Sequence, residues 1–156
     1  MALREMPILL DIGLEAGDAA SAVQRLAGML QRAGHVTADY GAAVAAREAT
    51  FPTGLPTEPP VALPHADPDH VLHSAMAVGV FRAPVTFHEM GSPERTLPVR
   101  IVFLLAVKEK EAAAGLLREL VVAFRDHERL ARLQEAETVH AARAILDDLL
   151  SQQTIT

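Results

Sequence analysis

Val99-Arg100-Ile101-Val102-Phe103-Leu104-Leu105-Ala106-Val107 is an apolar run broken only by one arginine near its start. Its residues are apolar on both alternating faces, so the run reads as a strand buried on both sides at the centre of a sheet. Working outward, Ala75-Met76-Ala77-Val78-Gly79-Val80-Phe81 is a second strand candidate and Val61-Ala62-Leu63-Pro64 a third. Pro84–Phe87 adds a short strand, and the segment 90–98, with its glycine and two prolines, reads as a turn-rich loop.

Helical periodicity flanks this block. Val23, Leu26, Ala27 and Leu30 share one face of a helix from Asp18 to Ala33, with Gly34 as its C-terminal cap. Thr37 is placed to cap a second helix that runs through Tyr40 and Val44 to about Ala49. Thr50–Pro60 holds four prolines and a glycine and reads as a loop. The C-terminal third reads as helices over Glu111–Arg125, Glu128–Gln134 and Thr138–Leu150, with Thr138 as N-cap of the last. Helices before and after a strand block predict an α/β fold, a layered domain with a small mixed β-sheet flanked by helices on both faces. Residues 1–156 are expected to form one such domain.

Composition narrows the function. Only 22% of the residues are charged while 50% are hydrophobic, which argues against disorder. The net charge of −6 and 4% aromatic content leave little with which to hold a nucleic-acid backbone or stack bases. There is no cysteine, so disulfides, thiolate metal sites and cysteine nucleophiles are excluded. The apolar patch after Met1 is short and interrupted by Asp11, which is not a leader pattern. No stretch is long enough to span a bilayer, so a cytoplasmic protein without membrane insertion is expected.

Motifs for other chemistries are absent. No G-x-S-x-G elbow surrounds Ser21, Ser74, Ser92 or Ser151, and there is no glycine-rich nucleotide loop. Asp147-Asp148 and Glu109/Glu111 read as solvated surface charge. His65, Asp67, His70 and His73 fall close together, but Pro64 and Pro68 break any helix that would align them, so no metal and no cofactor is expected. Asp67-Pro68-Asp69-His70 reads as a turn or helix start with Asp67 as cap. His65 is different because it ends an apolar strand. A strand-end imidazole is held by the sheet yet reachable, and its neutral ring nitrogen is a nucleophile. A structural strand-end histidine bonded to backbone is the simpler alternative.

A second cluster, Arg47-Glu48-Ala49-Thr50-Phe51-Pro52-Thr53-Gly54-Leu55, precedes Val61-Ala62-Leu63-Pro64-His65-Ala66-Asp67. Together they resemble the enzyme IIA proteins of the bacterial phosphoenolpyruvate-dependent sugar phosphotransferase system, fructose/mannitol superfamily, and most closely its galactitol-type branch. The likeness continues through Pro84–Phe87, Met90-Gly91, Val102–Ala106 and the helix bearing Leu116, Leu117 and Leu120. It implies a phosphohistidine carrier in which His65 accepts a phosphoryl group from HPr and passes it to an enzyme IIB. In that setting Arg47 supplies a guanidinium to the phosphate oxygens, Thr53 and Gly54 offer a hydroxyl and backbone N–H groups, and Glu48 fixes Arg47. The resemblance also implies a second histidine early in the helix after the central strand; Ala113 stands there in this chain. His73 and His88 are candidates to replace it. Phe51, Leu55, Met76 and Met90 are candidates for an apolar docking face. A regulatory role, as in nitrogen-type relatives that bind target proteins according to phosphorylation state, is the alternative to transport. An unphosphorylated binding module is the third.

Overall fold

A computed structural model describes residues 2–151. Its elements are β1 (Ile8–Leu14), α1 (Ala19–Arg32), α2 (Tyr40–Thr50), β2 (Gly54–Leu55), β3 (Val61–Ala62), β4 (Ala75–Glu89), β5 (Ser92–Ala106), α3 (Lys110–Ala123), α4 (His127–Gln134) and α5 (Val139–Ser151). β4 and β5 form a long antiparallel hairpin in which Met76, Val78 and Val80 lie opposite Leu105, Phe103 and Ile101. β1 joins β4 in parallel, β3 joins β5 in parallel, and β2 runs antiparallel to β3. β2 also reaches the far end of β4 through Gly54 beside Glu89. The result is a mixed five-stranded sheet.

The central run is apolar throughout because each face of the sheet has its own helical layer. Ile101, Phe103 and Leu105 pack with Leu116, Leu120, Leu130, Leu133, Leu146 and Leu149 of α3–α5. The alternate residues Val102, Leu104 and Ala106 pack with Val23, Leu26, Leu30, Tyr40 and Val44 of α1 and α2. A period of two thus splits one strand between two cores. The predicted layered α/β arrangement, with helices on both faces, is the observed one.

Helix ends follow local chemistry. The Asp18 carboxylate accepts from the Ser21 amide at 2.8 Å and caps α1. Beyond its other end, Gly34 takes φ +84° while the Gly34 and His35 amides donate to Gln31 and Leu30. Thr138 caps α5 through a bond from the Ala141 amide. Thr37 does not cap α2: Asp39 occupies that position and the buried Thr37 hydroxyl finds no partner. Asp67 stands at the N-cap position of a single 3-10 turn, Pro68–His70, but its side chain accepts no capping bond.

Three strand assignments change, the first because the segment read as a loop, Thr50–Pro60, holds the two-residue β2 that pairs with β3 and β4. β1 carries Asp11 in its middle, which disguises a strand whose Leu10 and Leu14 are buried. The segment read as a loop, 90–98, is mostly strand: only Met90-Gly91 turns, with Gly91 at φ +80°, and β5 resumes at Ser92. Pro84, Pro93 and Pro98 are exposed in this outer part of the hairpin, where sequence alone read their missing N–H groups as loop signals.

Gly54 is fixed by close approach. A Cβ there would lie 2.5 Å from the His88 carbonyl oxygen and 3.2 Å from Leu97 Cδ1. The first contact is backbone and cannot rotate away, so β2 would have to lift from β4. Gly54→Ala is expected to destabilise the fold by about 1–3 kcal/mol, read as a lower urea midpoint at unchanged slope.

Candidate functional site

The site begins where β3 ends. After Ala62 the chain continues beside β5, with the Leu105 amide donating to the Pro64 carbonyl at 3.1 Å and His65 bridged to Leu105. β3 and β5 are parallel here, so His65 lies at their carboxyl ends, where an α/β sheet opens to ligands. The buried Tyr40 hydroxyl clamps the same point by donating to the Leu105 carbonyl at 2.9 Å.

His65 is half-buried, and its Nδ1 lies 2.8 Å from the Leu63 carbonyl oxygen. A carbonyl can only accept, so Nδ1 carries the hydrogen and Nε2 holds the lone pair. Burial is the largest influence on the ring and pushes its pKa below the ordinary 6.5. Arg47 acts in the same sense, while the Leu63 bond and Asp67 oppose it.

Leu63 is itself held. Its amide is shared between the Thr53 carbonyl at 3.3 Å and the Thr53 hydroxyl oxygen at 3.2 Å. That hydroxyl donates to Glu48 at 2.7 Å, and the Thr53 amide donates to the other Glu48 oxygen at 2.8 Å. Glu48 and Thr53 are both buried. A continuous chain of hydrogen bonds therefore runs from the last turn of α2 to the imidazole.

This network revises three sequence-based roles. Glu48 does not fix Arg47; both its oxygens are taken by Thr53. The Thr53 hydroxyl and amide are committed to Glu48, Gly54 is buried beside β3 and β4, and neither residue lines the concavities around His65. Burial decided this, and burial was not visible in the motif. Arg47 does reach the site: its guanidinium lies 5.3 Å from the Phe51 ring centroid and lines a pocket of about 280 Å³ with His65 and Asp67.

Ala113 lines that pocket too, as do Ala114, Leu117 and Lys110 of α3. The position where the resemblance implied a second histidine thus faces His65, with a methyl group instead of an imidazole. His73 and His88 do not fill in. His73 stacks edgewise on His35 at 6.5 Å, and His88 lines a separate cleft of about 570 Å³ with Asp18, Glu48 and Thr86. Among the described residues no three histidine or carboxylate side chains are grouped as metal ligands.

Sequence reading placed Ala113 of α3 near His65 but missed what the later part of this helix contributes. Leu117, Arg118, Val121, Val122 and Arg125 form a second, largely apolar concavity with His65, Leu63 and Met90. Val121 and Val122 are exposed and fall outside the buried stripe of Leu116, Leu120 and Ala123. Those surplus valines were the available signal. Phe51 and Met90 are exposed, Leu55 is half-buried, and Met76 is wholly buried and leaves the set of docking candidates.

The solved structures similar to this chain share its architecture. Nitrogen regulatory protein IIA-Ntr from Neisseria meningitidis is 26% identical, with 89% of this chain and 91% of that one covered and a TM-score of 0.68. IIA mannitol from Escherichia coli is 25% identical over 89% and 94% of the two chains, TM-score 0.71. In its complex with phosphorylated enzyme IIB the same enzyme IIA covers 99% of its length at 22% identity and TM-score 0.71, with 92% of this chain covered. The cryptic mannitol-specific enzyme IIA CmtB from Escherichia coli is 20% identical over 97% and 99%, TM-score 0.74. No curated protein sequence matches this chain. The model of the family described as phosphoenolpyruvate-dependent sugar phosphotransferase system, EIIA 2, matches residues 7–149, and the chain belongs to that family.

Proposed function

We propose that His65 is the phosphoryl acceptor of a cytoplasmic carrier that takes phosphate from HPr and passes it to an enzyme IIB during uptake of a galactitol-like sugar or polyol. The observation that carries this reading is the 2.8 Å bond from Nδ1–H to the Leu63 carbonyl, which leaves the Nε2 lone pair outward and ready. Nε2 attacks phosphorus, the donor's P–N bond breaks, and its electron pair returns to the donor. The ring keeps Nδ1–H and becomes formally cationic, which strengthens its bond to Leu63 as the phosphoryl group arrives. Passing the group on reverses these changes. Transfer of this kind is mostly positioning and charge stabilisation, which Arg47 and the held loop supply. Phe51, Met90, Val121 and Val122 give a partner protein exposed apolar surface beside the histidine.

Incubation with phosphoenolpyruvate, enzyme I and HPr, followed by intact mass, tests the reading. One acid-labile phosphate per chain is expected, discharged on addition of an enzyme IIB. The likeness to IIA-Ntr favours a second reading, in which the phosphorylated and free forms bind different target proteins. Stable phosphorylation with no discharge to any IIB would favour it.

The ring environment has a pH consequence. Burial and Arg47 disfavour the imidazolium, so His65 stays neutral and nucleophilic until the pH falls below the ordinary value of 6.5. An NMR titration of the ring is expected to show a midpoint under 6.5. A midpoint above it would mean that Asp67 and the Leu63 bond outweigh burial.

A further inference from the structure

We infer that Lys110 is a second cation for the phosphoryl group on His65, an inference that rests on the carrier reading above. A phosphoryl group on His65 carries nearly two negative charges into a half-buried position, and the ring, cationic while it keeps Nδ1–H, offsets one of them. Arg47 offers one positive charge, and Asp67 in the same pocket offsets part of it. Lys110 completes the balance. It is the first residue of α3 and lines the 280 Å³ pocket with His65 and Arg47.

Two further observations point the same way. Among the described residues the Lys110 ammonium makes no ion pair and no hydrogen bond, so it is uncommitted. Its neighbours along the pocket wall are Ala113 and Ala114, whose small side chains leave room for a flexible ammonium to swing over the imidazole. Arg47 is positioned by stacking on Phe51, whereas Lys110 is free to follow a phosphoryl group in transit.

The test uses phosphoramidate as a small donor, so that protein docking plays no part. In the step it feeds, Nε2 attacks phosphorus, the P–N bond breaks and ammonia leaves with the bonding pair. Lys110 is exposed, so Lys110→Gln folds as the parent does, with circular dichroism as the check. Lys110→Gln is expected to take up phosphate about tenfold more slowly, and Lys110→Arg to recover most of the loss. In phosphorus NMR the phosphohistidine of Lys110→Gln should titrate at a higher pH than that of the parent, because a lost cation disfavours the dianion. Equal uptake rates and equal phosphoryl titrations in parent and Lys110→Gln would overturn the inference while leaving the carrier reading intact. A parent that takes up no phosphate would instead overturn the carrier reading and Lys110's role with it.

Discussion

His65→Ala is expected to abolish acid-labile phosphorylation while leaving the fold in place. The ring is half-buried at the end of a strand and makes one hydrogen bond, to the Leu63 carbonyl. Losing that bond costs on the order of 1 kcal/mol, small against the several kcal/mol that hold a domain of this size. Losing the nucleophile removes the reaction, with uptake falling by at least about a thousandfold, to the background of the other histidines. The informative control is His88, whose Nδ1 lies 2.7 Å from the Pro93 carbonyl and whose outer nitrogen is likewise free. Tautomer fixing would make the two rings equivalent, and exposure would favour His88, which is exposed where His65 is half-buried. Their surroundings differ in sign: His65 shares its pocket with Arg47 and Lys110, whereas His88 shares its cleft with Asp18 and Glu48. A phosphoryl group arriving at His88 meets carboxylates that repel it. Intact mass and peptide mapping of His65→Ala and His88→Ala therefore separate the contributions. Phosphate retained in His65→Ala but lost in His88→Ala would reverse the assignment.

The same contrast explains which parts of the molecule sequence could reveal. The run from Val99 to Val107 announces a central strand because both of its faces are buried, so each residue carries the same message. β1 does not, because Asp11 breaks its apolar pattern, and the outer halves of β4 and β5 do not, because their exposed prolines imitate a loop. At the site, the cluster from Arg47 to Gly54 and the Pro64-His65 pair identify where chemistry happens. What each side chain does there depends on burial that spacing does not encode: Thr53 faces inward to Glu48, and Arg47 faces the pocket. Lys110 is harder still to find. A lysine in the first turn of a helix looks like any solvated charge until β5 delivers α3 to the edge where β3 delivers His65.

The buried Glu48–Thr53 pair should prove as consequential as its distance from the phosphoryl group makes it inconspicuous. Thr53→Val keeps the shape of the side chain but removes a hydroxyl that donates to Glu48 and accepts from Leu63. One Glu48 oxygen is then left buried without its partner, which is expected to cost about 1–3 kcal/mol in urea denaturation. Phosphate uptake should slow by about 10–100-fold, the usual penalty for losing a group that orients a reactive one. A slower rate alone would be consistent with a loosened fold. The separating measurement is nitrogen NMR of the His65 ring: a strand end that has slipped lets Leu63 release Nδ1–H, so the second tautomer becomes populated. Unchanged tautomer and rate in a stable Thr53→Val would show that the network serves the fold only. Glu48→Gln retains an acceptor for the Thr53 amide and should be milder, but it carries a distinct signature. Burial is the main influence raising the Glu48 pKa above 4.5, with the Thr53 bonds and His88 opposing. A carboxyl raised in this way contributes stability fully below its unfolded value and loses it as the pH climbs through the raised one. The stability difference between parent and Glu48→Gln should therefore shift against the parent across that window. A difference independent of pH would mean that the carboxyl ionises in the folded chain as easily as in the unfolded one.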